Sequence, residues 1–79
     1  FYSYIEIAKY LIDNGANINL QDNNEGNTSL HWASQEGHLE IVKYLVDNGA
    51  DIDLQNKYRE TSLHRASESN KLEIVKYLI

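Results

Sequence analysis

His31 and His64 each stand three residues after a threonine, Thr28 and Thr61, and a hydroxyl beside an imidazole is raw material for nucleophilic catalysis. That chemistry also needs a group to orient the base. No serine, cysteine or carboxylate recurs with the pair in such an arrangement. The same spacing has a structural use. A threonine at a helix N-cap and a histidine one turn inside can exchange hydrogen bonds with each other and with the first backbone amides. One pair per 33 residues reads as a tie within a repeating turn. Asp51 with Asp53, and Glu36 with Glu40, lack the apolar surround that would drive two carboxyl pKa values apart. The three histidines, His31, His38 and His64, come without thiols or an H-E-x-x-H pairing, so no metal is expected. The four glycines form neither G-x-G-x-x-G nor a P-loop pattern, and no nucleotide cofactor is expected either.

The elements that must position these residues are repeats. Aligning Thr28 to Val46 with Thr61 to Ile79, an offset of 33, leaves 13 of 19 positions identical. Aligning Ile5 to Gln21 with Leu39 to Gln55, an offset of 34, leaves 12 of 17. The extra residue falls between Gln21 and Thr28, in a connection, where insertions cost least. Within one period Leu39, Ile41, Val42, Leu45 and Val46 form an apolar arc at helical spacing, with Glu40, Lys43, Asp47 and Asn48 opposite. This helix stops at Asn48-Gly49, as an earlier one stops at Asn14-Gly15, because glycine accepts the left-handed backbone that closes a helix C-terminus. A shorter helix opens at Thr28 as N-cap, carries Leu30, Ala33 and Ser34, and ends at Gly37. From Ala50 to Glu60 the chain has no helical period and reads as an extended excursion. Such a unit cannot bury its own apolar faces and must be stacked between neighbours, with Ala33 and Ala66 allowing close approach.

Composition narrows the field of functions. Seventy-nine residues make one small unit, which buries only about 60% of its unfolded surface. With no cysteine to staple it, stability demands a very regular core, or the chain is a fragment of something longer. Seven basic against twelve acidic residues give a formal charge of −5, which repels a phosphate backbone, so nucleic acid is not an expected partner. Apolar runs of two or three residues fall far short of the ~20 needed to span a bilayer, and no signal peptide is visible. Absence of cysteine fits an intracellular, cytoplasmic protein.

Thr28-Ser29-Leu30-His31-Trp32-Ala33 and Thr61-Ser62-Leu63-His64-Arg65-Ala66 resemble the T-P-L-H-x-A motif of ankyrin repeats, at the same 33-residue spacing. Gly37-His38-Leu39-Glu40-Ile41-Val42 and Asn48-Gly49-Ala50-Asp51 are similar to that family's second-helix and hairpin motifs. The resemblance implies an all-α solenoid of stacked helix-turn-helix units with hairpin-like loops: a partial repeat over 1–22, a complete one over 23–55 and a partial one over 56–79. Serine replaces the motif proline at Ser29 and Ser62. Arg59, Asn70 and Lys71 stand where the preceding unit has Gly26, Gly37 and His38, so the third hairpin tip and inter-helix turn are expected to be less regular.

By the same resemblance Thr28, His31, Gly37, His38, Gly49, Thr61 and His64 are structural. The resemblance further implies that the short helices and hairpin tips form a groove for another protein. In the second unit it would use Asn24, Glu25, Asn27, Trp32, Gln35 and Glu36, and in the third Lys57, Tyr58, Glu60, Arg65, Glu68 and Ser69. A position holding Trp32 in one unit and Arg65 in the next does not read as a required packing position, and Trp, Tyr and Arg are types enriched in binding hot spots. The expected function is a non-catalytic interaction module. The alternative is a regulatory or docking ankyrin segment of a larger enzyme or channel. Tyr10, Tyr44 and Tyr77 recur on the long helix with their hydroxyls expected in water, and Glu40–Lys43 and Glu73–Lys76 are spaced as exposed ion pairs. Phe1, Tyr2, Tyr4, Ile5 and Ile7 form an apolar end with no repeat to cover it, a route to end-to-end self-association. Asn19 has a spacing similar to that at which ankyrin repeats can be hydroxylated on asparagine, although hairpin hydrogen bonding is its nearer use.

Overall fold

The computed structural model describes residues 4–79, with side chains of residues 6, 9, 10 and from 12 onward. The expectation for Phe1, Tyr2 and the side chains of Tyr4, Ile5 and Ile7 lies outside the described residues. Five helices and no strand are found among those described: α1 (Tyr4–Asp13), α2 (Ser29–Glu36), α3 (Leu39–Asp47), α4 (Ser62–Glu68) and α5 (Leu72–Leu78). The short helices α2 and α4 pack against each other in one layer, and the helices at the long-helix position of each unit, α1, α3 and the seven-residue α5, form a second row behind them.

Local signals explain where each helix begins and ends. Thr28 holds an extended backbone, and its hydroxyl accepts from the His31 amide at 3.3 Å, so α2 starts one residue later. Thr61 does the same for α4 through the His64 amide at 3.4 Å. Gly37, at φ 78°, turns the chain so that the His38 amide reaches the Ala33 carbonyl at 3.0 Å. The third unit is more regular than its residues suggest. Asn70 takes φ 58° where Gly37 stands, and the Lys71 amide reaches Ala66 at 2.9 Å, the same closure. Arg59 likewise takes φ 63° where Gly26 has 75°. The turns survive loss of glycine, and the strain falls on two residues that carry a Cβ.

One apolar cluster joins the units: Leu30, Ala33, Ile41, Val42 and Leu45 from the second, Ala66 and Ile74 from the third. Ala33 and Ala66 are fully buried, and α2 and α4 approach closely because both are small. Ser34 lies in the same layer, fully buried, and its hydroxyl has no hydrogen-bond partner among the described residues. An orphaned buried hydroxyl is destabilising, and alanine is also the better helix former. Ser34→Ala is therefore expected to raise stability by about 1 kcal/mol, read as a higher urea midpoint at unchanged slope. A lower midpoint would mean the hydroxyl is satisfied after all.

On the outer face the long helices are clasped by side chains. The Lys9 ammonium lies 5.5 Å from the Tyr44 ring centre, and Lys43 repeats this 5.7 Å from Tyr77. Two expectations are corrected here. Lys43 turns to the next unit's ring instead of Glu40, while Lys76 does reach Glu73 at 4.0 Å. The Tyr44 hydroxyl, expected in water, donates to Asp13 Oδ1 at 2.8 Å, and this bond to a carboxylate raises its pKa.

Candidate functional site

His31 shows how the short-helix side is held. Its Nδ1 faces the Thr28 amide at 3.2 Å and the Thr28 hydroxyl at 2.9 Å, and its Nε2 faces the Glu60 carbonyl of the next unit at 2.7 Å. An amide only donates and a carbonyl only accepts, so Nδ1 is the bare nitrogen and Nε2 carries the proton. Both nitrogens of this buried ring are committed. Neither is left to act as a base or a metal ligand. His64 makes the same contacts with Thr61, at 3.1 and 2.9 Å, but its ring is exposed.

Further polar contacts run from each unit to the next. The Asn19 side-chain oxygen accepts from the Asp51 amide at 2.8 Å. Gln21 Nε2 donates to the Gly26 and Gln55 carbonyls, each at 2.9 Å. Asn56 Nδ2 donates to Asn27 Oδ1 and to Glu60 Oε1, both at 2.9 Å, and the Lys57 amide donates to the Glu25 carbonyl at 2.8 Å. Arg65 crosses from α4 to α2: Nη2 bonds Gln35 Oε1, while Nη1 lies 3.2 Å from Glu60 and 3.8 Å from Glu68. Asn27, Gln35, Glu60 and Arg65 are thus brought together at the seam. Arg65 packs across it, although its exchange with tryptophan suggested otherwise.

Two carboxylates are tuned by these bonds. Asp22 Oδ1 accepts from the amides of Glu25 at 2.8 Å, Gly26 at 3.0 Å and Asn24 at 3.1 Å, and the Glu25 amide above all lowers its pKa. Glu60 is lowered first by the Asn56 side chain and then by Arg65. A carboxyl whose pKa is depressed by folding adds stability above its unfolded value, and that stability is lost as pH falls through the folded value. Unfolding in urea should therefore be insensitive to these groups above their ordinary values of 3.8 and 4.5, and easier below. Asp22→Asn keeps the acceptor oxygen, as Asn56 does in the next tip, and is expected to show a shallower acid-side fall. An unchanged fall would remove Asp22 from this account.

The remaining groove candidates face solvent. Asn24, Glu25, Glu36, Lys57 and Glu68 are exposed, and Ser69 is half-buried at the end of α4. Trp32 is 39% exposed, with its ring centre 5.2 Å from that of His38 at the start of α3. Tyr58 is 57% exposed at the third hairpin tip, with the Lys57 ammonium 5.1 Å from its ring centre. Arg59 beside it, exposed and at φ 63°, was not among the candidates read from the sequence. Its signal was visible: a bulky cation at the step where the preceding unit has Gly26.

Repeated Thr/His caps, glycine or asparagine turns and paired helices stacked in two rows all agree with a family comparison. A family model described as ankyrin repeats, in three copies, matches residues 1–79. The chain belongs to the ankyrin repeat family. Among curated proteins no sequence matches it. Ankyrin repeats are generally protein–protein interaction modules and typically non-catalytic. In this ankyrin segment no group of three or more His, Asp or Glu among the described residues is placed to hold a metal ion. No described helix is long and apolar enough to cross a membrane.

Proposed function

We propose that this ankyrin segment binds another protein, without catalysis, along its hairpin tips and short helices. The observation that carries this reading is the pair of exposed aromatic rings, Trp32 and Tyr58, on a backbone fixed by bonds between units. A face ordered before docking loses little conformational entropy when a partner arrives, and residues such as Glu36 and Glu68 can set specificity without altering the fold. Arg65 and Gln35 support the face from the seam, so their truncation would confuse folding with binding.

The test uses a displayed random-peptide library selected on the wild-type chain. Trp32→Ala, Glu36→Ala and Tyr58→Ala are each expected to lose most of the selected binding while the helical circular dichroism stays unchanged. Binding that survives all three would place the partner on another face.

A further inference from the structure

The basic side chains are almost all occupied. Arg65 and Lys76 pair with carboxylates, Lys9, Lys43 and Lys57 lie over tyrosine rings, and the stem of half-buried Lys71 runs over Gly37. The Arg59 guanidinium makes no hydrogen bond, ion pair or ring contact among the described residues. It is also held at φ 63°, a left-handed backbone that disfavours any residue with a Cβ, and the preceding unit uses Gly26 at that step. The chain thus accepts strain at an exposed tip to present an unpaired guanidinium beside Tyr58. Backbone strain of this kind gathers where binding needs it.

Resting on the binding reading above, we infer that Tyr58 and Arg59 anchor the partner, and that the partner supplies a carboxylate beside an apolar side chain. A guanidinium presents parallel donors that match a carboxylate, and the Tyr58 ring, with the Lys57 ammonium 5.1 Å from its centre, adds an apolar surface beside it. A long polyanion fits poorly. The chain carries −5 overall, and the neighbouring tip brings Asp22 and Glu25 close, the Glu25 carbonyl lying 2.8 Å from the Lys57 amide. That geometry suits one or two acidic side chains of a protein segment better than a run of phosphates.

The test is an NMR titration of the whole chain with three probes: an end-blocked hexapeptide holding leucine between two glutamates, the same peptide with lysines for glutamates, and inorganic phosphate. The acidic peptide should shift the amides of Lys57 to Glu60 and the lysine peptide should not. Arg59→Gly should weaken the acidic peptide about tenfold, the worth of a charged hydrogen-bonded pair. The same variant should unfold at a higher urea concentration, because glycine relieves the left-handed backbone. Loss of binding with gain of stability separates an anchor from a fold defect. Undiminished binding by Arg59→Gly, or equal shifts with phosphate, overturns the proposal. Shifts confined to Trp32 and Glu36 would also overturn it while leaving the broader binding face in place.

Discussion

Replacing His31 by alanine is expected to cost about 3 kcal/mol, the sum of a buried amide left without an acceptor and a broken bond between units. The Thr28 amide would lose Nδ1 in a buried site, and the Glu60 carbonyl would keep only the Asn56 amide at 3.0 Å. His64→Ala removes the same ring from the same motif, but from an exposed site and with only its own-unit bonds, and should cost about 1 kcal/mol. A chain of this length has about 4 to 12 kcal/mol in total, so the first change brings it near unfolding and the second does not. Urea titrations of the two variants decide the matter. Equal losses would show that the Nε2 bond to Glu60 contributes nothing.

A similar contrast is expected between Leu45 and Leu78, which hold equivalent positions in successive long helices. Leu45 is 1% exposed in the shared core, whereas Leu78 packs only at its margin. Leu45→Ala should cost about 3 kcal/mol through lost transfer energy and a residual cavity, and Leu78→Ala about 1 kcal/mol because its site is already half open. Leu45 also lies in the unit that touches both neighbours. Its truncation should weaken two interfaces together, so that far-ultraviolet signal is lost in a single shifted transition. If Leu78→Ala matches Leu45→Ala, the core does not thin toward that edge as described.

Much of this arrangement was legible because each unit states its instructions more than once. Thr28 and Thr61, with His31 and His64, fix two helix starts, and the glycine at Gly37 and asparagine at Asn70 fix two turns. Local signals of this kind act within a few residues, which is the range a single chain displays. Contacts at offsets of 29 to 34 residues were less visible, as with Asn56 to Asn27 and Gln21 to Gln55. Glu60 and Arg65 carry the types expected of a free surface, and their commitment to each other and to Gln35 depends on how near α2 and α4 come. Lys43 had Glu40 at ideal spacing and took the Tyr77 ring, a choice set by the neighbouring helix. Arg59 was read only as a lost glycine, because its value as an exposed cation emerges once the other cations are seen to be engaged.

The bonds from Asn19 to Asp51, His31 to Glu60 and Asn56 to Asn27 each join one unit to the next along the sequence. Tension drawn between the two ends of the chain would consequently load one seam before another, and the molecule should lengthen in discrete steps, each releasing one module. Such a body yields like a row of buttons, and a module peeled from the edge could close again on its neighbour without the rest having come apart.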